Sequence, residues 1–478
     1  MPDGIVEKPM STQNRNPVRS SLGTSSLFFF VIAAAAPLTS IAGFAPLAFL
    51  IGGPATPLGF IVAGSVYLVF AIGFLNFVRH TTRGGAFYTY VSIGLGPHLG
   101  LGAALIAYVA YTLGQVGFCA AAGLFTREAI HGVFGTAPSW GACALGLTFL
   151  CGLMAYHRIE FNARVMALLI LAEIGILALF ATVVFIEGGP QGIRLESLDP
   201  RALLSPGTGT LLVLAFVVFI GFEQAALYSE EVHDPKRTIP RATYLSIGFL
   251  TLFYLLTSWS IYIAIGPDQF QQVLAVDTTN LVFNLASRYL GSFWSSAMLI
   301  LVVTSFFAGV LALQNASSRY LLSIAQERML PAPFARRNRH GVPSFAGIFQ
   351  AVLVGLVILL AYCADIDPYR QLIIWTNTPT LVGVLILQVL ASLAAIRHFH
   401  GKASGTTYWQ RFIAPASASV MLLSVLGLLI RDMPLLTGLS QPLNAAILLP
   451  LLLAFGAGVI RSLRLKGQVS TCHEPPAR

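Results

Sequence analysis

Apolar residues run along this chain in stretches of about 20, the length a helix needs to cross a bilayer, and polar residues cluster in the gaps between them. Twelve such stretches are predicted, at 27–51, 56–77, 98–126, 140–156, 162–186, 208–229, 242–265, 293–324, 343–363, 368–395, 413–430 and 443–460. In lipid only a helix or a closed barrel satisfies its own backbone, so stretches of this length predict an all-α polytopic membrane protein. Residues 1–26 are polar, carry Lys8, Arg15 and Arg19, and read as a disordered cytoplasmic tail. A second short tail is expected at 461–478. The run beginning at Leu27 is too long for a signal-peptide core and reads as a retained helix.

Two of the stretches are not uniform. The sixth contains FVVFIGFEQAALYSEE (216–231), where Gly221 is followed at once by the carboxylate of Glu223. An acid inside a membrane span is costly and marks a substrate path, an ion path or a proton relay. The adjacent glycine permits a backbone break, tolerated at membrane depth only where it lines a protein cavity. In the first stretch, Pro37 removes a backbone donor, and Thr39, Ser40 and Gly43 follow. The bland alternative is a proline kink whose freed carbonyls are met by serine and threonine. Stretches one and six hold the same place in two successive groups of five, and paired broken helices in corresponding halves point to a transporter's central site.

Composition narrows the class. Of the 478 residues 56% are hydrophobic and 10% charged, against about 25% charged in soluble domains, and the mean hydropathy is +0.77. The net charge of +9 does not suggest nucleic acid, because the basic residues sit in short loops beside apolar runs, as the positive-inside rule requires. With the N-terminus inside, most of the 28 lysines and arginines fall on the inner side. Arg127, Arg194, Arg201, Arg288, Arg370 and Arg431 fall on the outer side. That bias predicts both termini in the cytoplasm. The five cysteines, Cys119, Cys143, Cys151, Cys363 and Cys472, include no CxxC pair and read as packing residues rather than a disulfide or metal set.

The ionisable groups inside the stretches are few. No lysine or histidine lies in mid-span, and the clearly internal acids are Glu173 and Glu223. A carboxyl group shielded from water can hold a proton at physiological pH, so both are candidates for proton coupling or gating. For Glu173 the competing reading is a neutral acid bonded to a neighbouring helix. Tyr108, Tyr111, Thr112 and Gln115 give the third stretch a partly polar face, suited equally to packing and to solute contact. Tyr88 and Tyr90 are expected as headgroup-level anchors. Glu230, Glu231 and Asp234, followed by Lys236, Arg237 and Arg241, form loop salt bridges or a cytoplasmic gate. The last two stretches, poor in polar residues, are expected outside the core or at a dimer contact. No phosphate-binding loop or clustered histidines are visible, and neither are the nucleophile sets of a membrane enzyme or the output domain of a sensor. No cofactor or metal is expected.

The segments AAAAPLTSIAG (33–43), GGAFYTYVSIGLG (84–96), FIGFEQAALYSEEVHDPKRTIPRA (219–242) and NASSRYLLSIAQERMLP (315–331) carry a likeness that spans nearly the whole core. The chain resembles the amino acid–polyamine–organocation (APC) permeases of bacteria. The resemblance implies a LeuT-like fold of two inverted five-helix repeats (27–186 and 208–395) with discontinuous helices 1 and 6, twelve spans in all, and two accessory helices in 413–460. It implies that a substrate carboxylate meets backbone N–H groups at Leu38, Thr39, Ser40, Ile41, Ala42 and Gly43. The substrate's amino group would meet carbonyls at Phe219, Ile220, Gly221 and Phe222, with Phe216, Phe219 and Phe222 shaping or capping the pocket. Half-helix ends suit this division, anions at N-termini and cations at C-termini. Proton-coupled relatives often carry a lysine in the middle of span five; this chain has Glu173 there or one turn away. The implied activity is import of an amino acid or related amine across the bacterial inner membrane by proton symport. The runner-up is a polyamine importer or an amine/amino acid exchanger. Expected partners are the solute, a proton and membrane lipid, with no nucleic acid, and the chain is expected as a monomer or homodimer.

Overall fold

A computed structural model of the chain describes residues 23–80, 86–157, 163–204, 207–229, 232, 234–276, 278–326, 329–338, 341–400 and 406–464. Every regular element in it is helical. The first apolar stretch is divided into α1 (Thr24–Ala35), the single turn α2 (Pro37–Thr39), a π-helical turn (Ser40–Phe44) and α3 (Ala45–Gly52). It is followed by α4 (Thr56–His80), the short α5 (Ala86–Leu95), the long α6 (Pro97–Phe134), α7 (Trp140–His157) and α8 (Ala163–Glu187). The sixth stretch gives α9 (Thr208–Val217) and a 3₁₀ segment, Phe222–Tyr228. Then come α10 (Pro235–Ile265), two short loop helices α11 (Phe270–Val276) and α12 (Leu281–Leu290), α13 (Ser292–Gln326), α14 (Ser344–Cys363), α15 (Ile373–Phe399), α16 (Ala414–Thr437) and α17 (Gln441–Arg464).

Among the described residues ten helical segments are long and apolar enough to cross a membrane, and the shorter apolar helix Trp140–Tyr156 stands beside them. The chain is therefore an all-α polytopic membrane protein with a bent first helix. The polar tail expected at 1–26 gives way to helix at Thr24, and residues 1–22 lie outside the described residues, as do 465–478. Glu230, Glu231 and the Gly84-Gly85 turn also lie outside them. Of the expected loop salt bridges, Asp234–Arg237 is present at 3.9 Å between two exposed side chains, a geometry worth little energetically.

The long helices α6 and α13 cross in the middle of the molecule. Around them pack α15, α17, α7, α5 and α14, while α10 lies along α4 and α1. Three buried glutamines pin part of this scaffold. Gln115 of α6 donates to Gln314 of α13 at 2.7 Å and accepts from Gln350 of α14 at 2.9 Å, and Gln314 donates to the Gly347 carbonyl at 2.7 Å. Thr112 joins the network through Gln350, 3.1 Å away. Amide pairs of this kind are a common adhesive between helices in lipid. Gln115 and Thr112 are thus packing groups, one of the two roles their spacing allowed.

One expectation is corrected by the packing. Tyr90 is not a headgroup anchor: it is buried and stacks on Phe77, with ring centroids 4.9 Å apart and planes 7° from parallel. Helix α16 packs one face on α4, α9 and α15 and leaves the rest exposed. Its Asp432 is buried, and the carboxylate lies against Gly209 in the first turn of α9. Arg431 beside it bonds the same carboxylate at 2.7 and 3.0 Å, which leaves the charge paired while the helix N-terminus favours it.

Candidate functional site: two facing helix breaks

The first break is a left-handed residue followed by proline. Ala36 has φ 45° and ψ 71°, a conformation that costs a residue with a side chain of order 1–3 kcal/mol and persists only where the surroundings impose it. Its N–H still closes α1 by bonding to Ile32 and Ala33. Pro37 has no N–H to give, and the next helical bond runs from the Ser40 N–H to the Ala36 carbonyl at 2.9 Å. Only Leu38 and Thr39 therefore present backbone donors ahead of the resumed helix. The Ser40 hydroxyl turns back to the Ala35 carbonyl at 2.9 Å. The Thr39 hydroxyl is buried with no hydrogen-bond partner among the described residues.

The second break is made by a glycine that no other residue can replace. After α9, the N–H groups of Phe219 and Ile220 reach back to Phe216 and Val217 at 3.3 and 3.1 Å. Gly221 then takes φ +124°, outside the range of an L side chain. Its N–H donates to Glu223 Oε2 at 3.0 Å, and the Tyr111 hydroxyl donates to Glu223 Oε1 at 2.8 Å. Two tyrosines take carbonyls loosened by the break: Tyr67 of α4 donates to Phe216 at 3.2 Å, and Tyr254 of α10 reaches Val218 at 3.3 Å. No hydrogen bond among the described residues reaches the carbonyls of Phe219 or Ile220.

The two breaks meet. Gly221 packs on Ala34, the position of a β-carbon on the glycine lying 3.0 Å from Ala34 Cβ. The Tyr254 hydroxyl stands within reach of both Val218 and Ala35 carbonyls, 3.3 and 3.4 Å away. Glu173 of α8, a helix that packs along α1 and α2, is buried and accepts from the Ser305 hydroxyl of α13 at 2.8 Å. Each break thus has one carboxyl group beside it, and each carboxyl is held by neutral donors.

The residues expected to form the site fall into two sets. Ala34 and Ala35 meet Gly221 and Val218 where the breaks converge; Leu38, Thr39 and Ser40 follow in the first, and Phe219, Ile220 and Glu223 flank Gly221 in the second. Ile41, Ala42 and Gly43 continue along the π-helical turn, where the Gly43 carbonyl accepts from Tyr369 at 2.7 Å and Gly43 faces the Phe306 ring. Phe216, Phe219 and Phe222 are buried around Tyr67, with centroids at 5.0, 5.6 and 5.0 Å. Sequence reading missed Tyr67, Tyr254, Ser305, Tyr369 and Asp432. A usable signal existed for the tyrosines, because a phenol in mid-span must find an acceptor.

Among the described residues no group of three or more histidine, cysteine or acidic side chains is placed to hold a metal. The comparisons with known proteins agree with a transport site. An uncharacterised transporter of Mycobacterium tuberculosis is 26% identical over 359 residues, covering 74% of this chain and 75% of its own length. The aromatic amino acid transport protein AroP of Escherichia coli K12 is 25% identical over 324 residues, 65% of this chain and 68% of its own. AroP of Salmonella typhimurium LT2 is 24% identical over 322 residues, with the same coverage of 65% and 68%. The family model for amino acid permeases matches residues 22–453. With broken helices facing one another inside a polytopic bundle, and a match over nearly the whole chain, this protein belongs to the amino acid permease family of the APC superfamily.

Proposed function

We propose that this permease imports an amino acid with a neutral, apolar or aromatic side chain by proton symport across a bacterial inner membrane. The carrying observation is the meeting of two helix breaks of opposite polarity, Leu38 and Thr39 offering N–H groups and Phe219 and Ile220 offering carbonyls. An α-carboxylate suits the first pair and an α-ammonium the second. Phe219 and Phe222 are buried at the second break and Phe306 beside Gly43, and no lysine, arginine or histidine lies in the middle of any span, which favours an uncharged side chain. The name of AroP supports the aromatic class.

Proton coupling falls to Glu173 and Glu223, the carboxyl groups at the two breaks. Sodium has less support, because the sequence offers no clear cluster of oxygen ligands. The architecture read here is twelve spans, in two inverted repeats of five with two accessory helices and both termini inside. The 57-residue helical run Thr24–His80 is long enough for two crossings with a turn at Gly53, and Trp140–Tyr156 supplies one more. A diamine importer is the second reading, supported by the same two carboxyls.

The test is uptake into liposomes. Purified protein is offered labelled L-phenylalanine, L-leucine, L-arginine and a diamine under an imposed pH gradient or a sodium gradient. Accumulation of a neutral amino acid in response to the pH gradient is expected. Accumulation driven equally by sodium alone overturns the proton reading, and selective uptake of the diamine overturns the substrate class.

A further inference from the structure

The connector between α13 and α14 takes no part in the transport site, and it is strongly basic. Residues 327–343 read ERMLPAPFARRNRHGVP, with four arginines against one acid. We propose that Arg336 and Arg337 hold the phosphate of one anionic phospholipid, whose acyl chains lie along the seam between α7 and α14. The assignment of this lipid to the inner leaflet rests on the orientation read above; the site itself does not.

A fixed turn presents the two arginines. The Asn338 N–H donates to the Val342 carbonyl at 2.9 Å, and its side-chain oxygen accepts from the Val342 N–H at 3.2 Å. The Asn338 carbonyl accepts from the Gly341 N–H at 2.9 Å, and Gly341 takes φ +78° to close the turn. The Asn338 amide also donates to the Tyr156 carbonyl in the last turn of α7 at 2.9 Å. Four residues earlier, the Phe334 ring stands nearly perpendicular to those of Phe345 and Phe349 on α14, with centroids 4.8 and 5.2 Å away. The turn is thus fastened to both helices, and Arg336 and Arg337 lie between the two fastenings. Both arginines are exposed. Among the described residues neither is paired with a carboxylate, and Arg337 donates to the Gly341 carbonyl at 3.4 Å.

Beside this turn an apolar surface runs across both helices. Small residues let α7 and α14 approach closely: a β-carbon on Gly152 would lie 2.9 Å from Ala351 Cβ, and one on Gly141 would lie 2.6 Å from the Tyr362 ring. The outward residues Leu153 and Tyr156 on α7, and Phe345, Phe349 and Val352 on α14, are 39–65% exposed. Gln350, on the other side of α14, is taken up in the glutamine network, which leaves the outward face to lipid. Guanidinium groups match phosphate oxygens in a bidentate fork. Charge complementarity selects the headgroup. A zwitterionic lipid brings its own cation to the phosphate, whereas an anionic lipid leaves that charge for the protein to meet, and basic sites between helices on the cytoplasmic side take such headgroups.

The test separates a site from the diffuse attraction of basic loops to an anionic leaflet. Native mass spectrometry of the delipidated protein in detergent counts bound lipid as phosphatidylglycerol or phosphatidylcholine of matched chains is added, and melting temperatures are read on the same samples. One phosphatidylglycerol is expected to be retained in preference to phosphatidylcholine and to raise the melting temperature. In the double variant Arg336→Gln, Arg337→Gln the affinity for phosphatidylglycerol is expected to fall roughly ten- to thirtyfold, with phosphatidylcholine binding unchanged. The comparison is Arg461→Gln, Arg464→Gln, which removes two exposed arginines from the C-terminal end of α17 and is expected to bind phosphatidylglycerol as the wild type does. Equal losses in the two double variants overturn the proposal. Equal retention of both lipids by the wild-type protein overturns it without any variant. A rise in melting temperature with sn-glycerol 3-phosphate as large as that with phosphatidylglycerol overturns it too, because the chains would then have no place in the site.

Discussion

Gly221 lies directly against Ala34, so that the discontinuity of the sixth span is packed onto the last turn before the discontinuity of the first. The contact requires glycine twice over. The residue has φ +124°, and a β-carbon would meet Ala34 Cβ at 3.0 Å and its carbonyl carbon at 3.3 Å. Gly221→Ala is therefore expected to destabilise the protein by roughly 1–3 kcal/mol and to abolish most uptake. Thermal unfolding in detergent and initial uptake rates in liposomes check both. Ala34→Gly, which relieves the contact but not the dihedral angle, is expected to recover little.

Tyr254 ties the breaks together by a single hydroxyl shared between the Ala35 and Val218 carbonyls. Tyr254→Phe keeps the ring on Phe60 and Phe219, 5.4 and 5.5 Å away, and removes the donor from a fully buried place. Loss of about 1–3 kcal/mol of stability is expected, with turnover affected more than apparent affinity. Tyr254→Leu, which also removes the ring, is expected to be worse. Equal stability of the phenylalanine variant and the wild type is the contrary result.

Glu223 and Tyr111 form one unit. The Tyr111 hydroxyl and the Gly221 N–H are donors to the two oxygens of a buried carboxyl. Glu223→Gln and Tyr111→Phe are each expected to slow transport, and the double variant to be no slower than the worse single one. A double-mutant cycle on uptake rates measures this, with a coupling of about 0.5–3 kcal/mol expected for groups in one network. Additive losses contradict the pairing.

Gln388 of α15 presents the opposite case. Its side chain is wholly buried beside Tyr67, and neither amide atom has a hydrogen-bond partner among the described residues. Replacing a polar group left in this condition by an apolar one of similar size is neutral or stabilising. Gln388→Met is expected to raise the melting temperature. A fall of several degrees would mean that the amide is satisfied.

Gly209 and Asp432 join the N-terminal end of α9 to α16. A methyl on Gly209 would collide with the Asp432 carboxylate, so Gly209→Ala is expected to be strongly destabilising, and Gly209→Ala with Asp432→Ala to recover part of the loss. Melting temperatures of the three variants decide this.

The amino-acid pattern by itself determined the class of molecule and the places where its helices break. Runs of apolar residues of bilayer length admit one kind of structure in lipid. Pro37 and Gly221 disrupt a helix through local geometry that needs no neighbour. Glu173 and Glu223 were legible for the same reason, since a charge among apolar residues is conspicuous wherever the chain folds. Only the tertiary structure decided what these features face. Ala36, an ordinary residue in sequence, carries the left-handed turn that ends α1 ahead of Pro37. The bridging of two breaks by Tyr254, the bond between Glu173 and Ser305 and the burial of Asp432 against α9 depend on helices far apart in the chain. Such partners are chosen by the angle and depth at which helices pack, and a one-dimensional pattern of polarity carries the faces of helices but not their crossings.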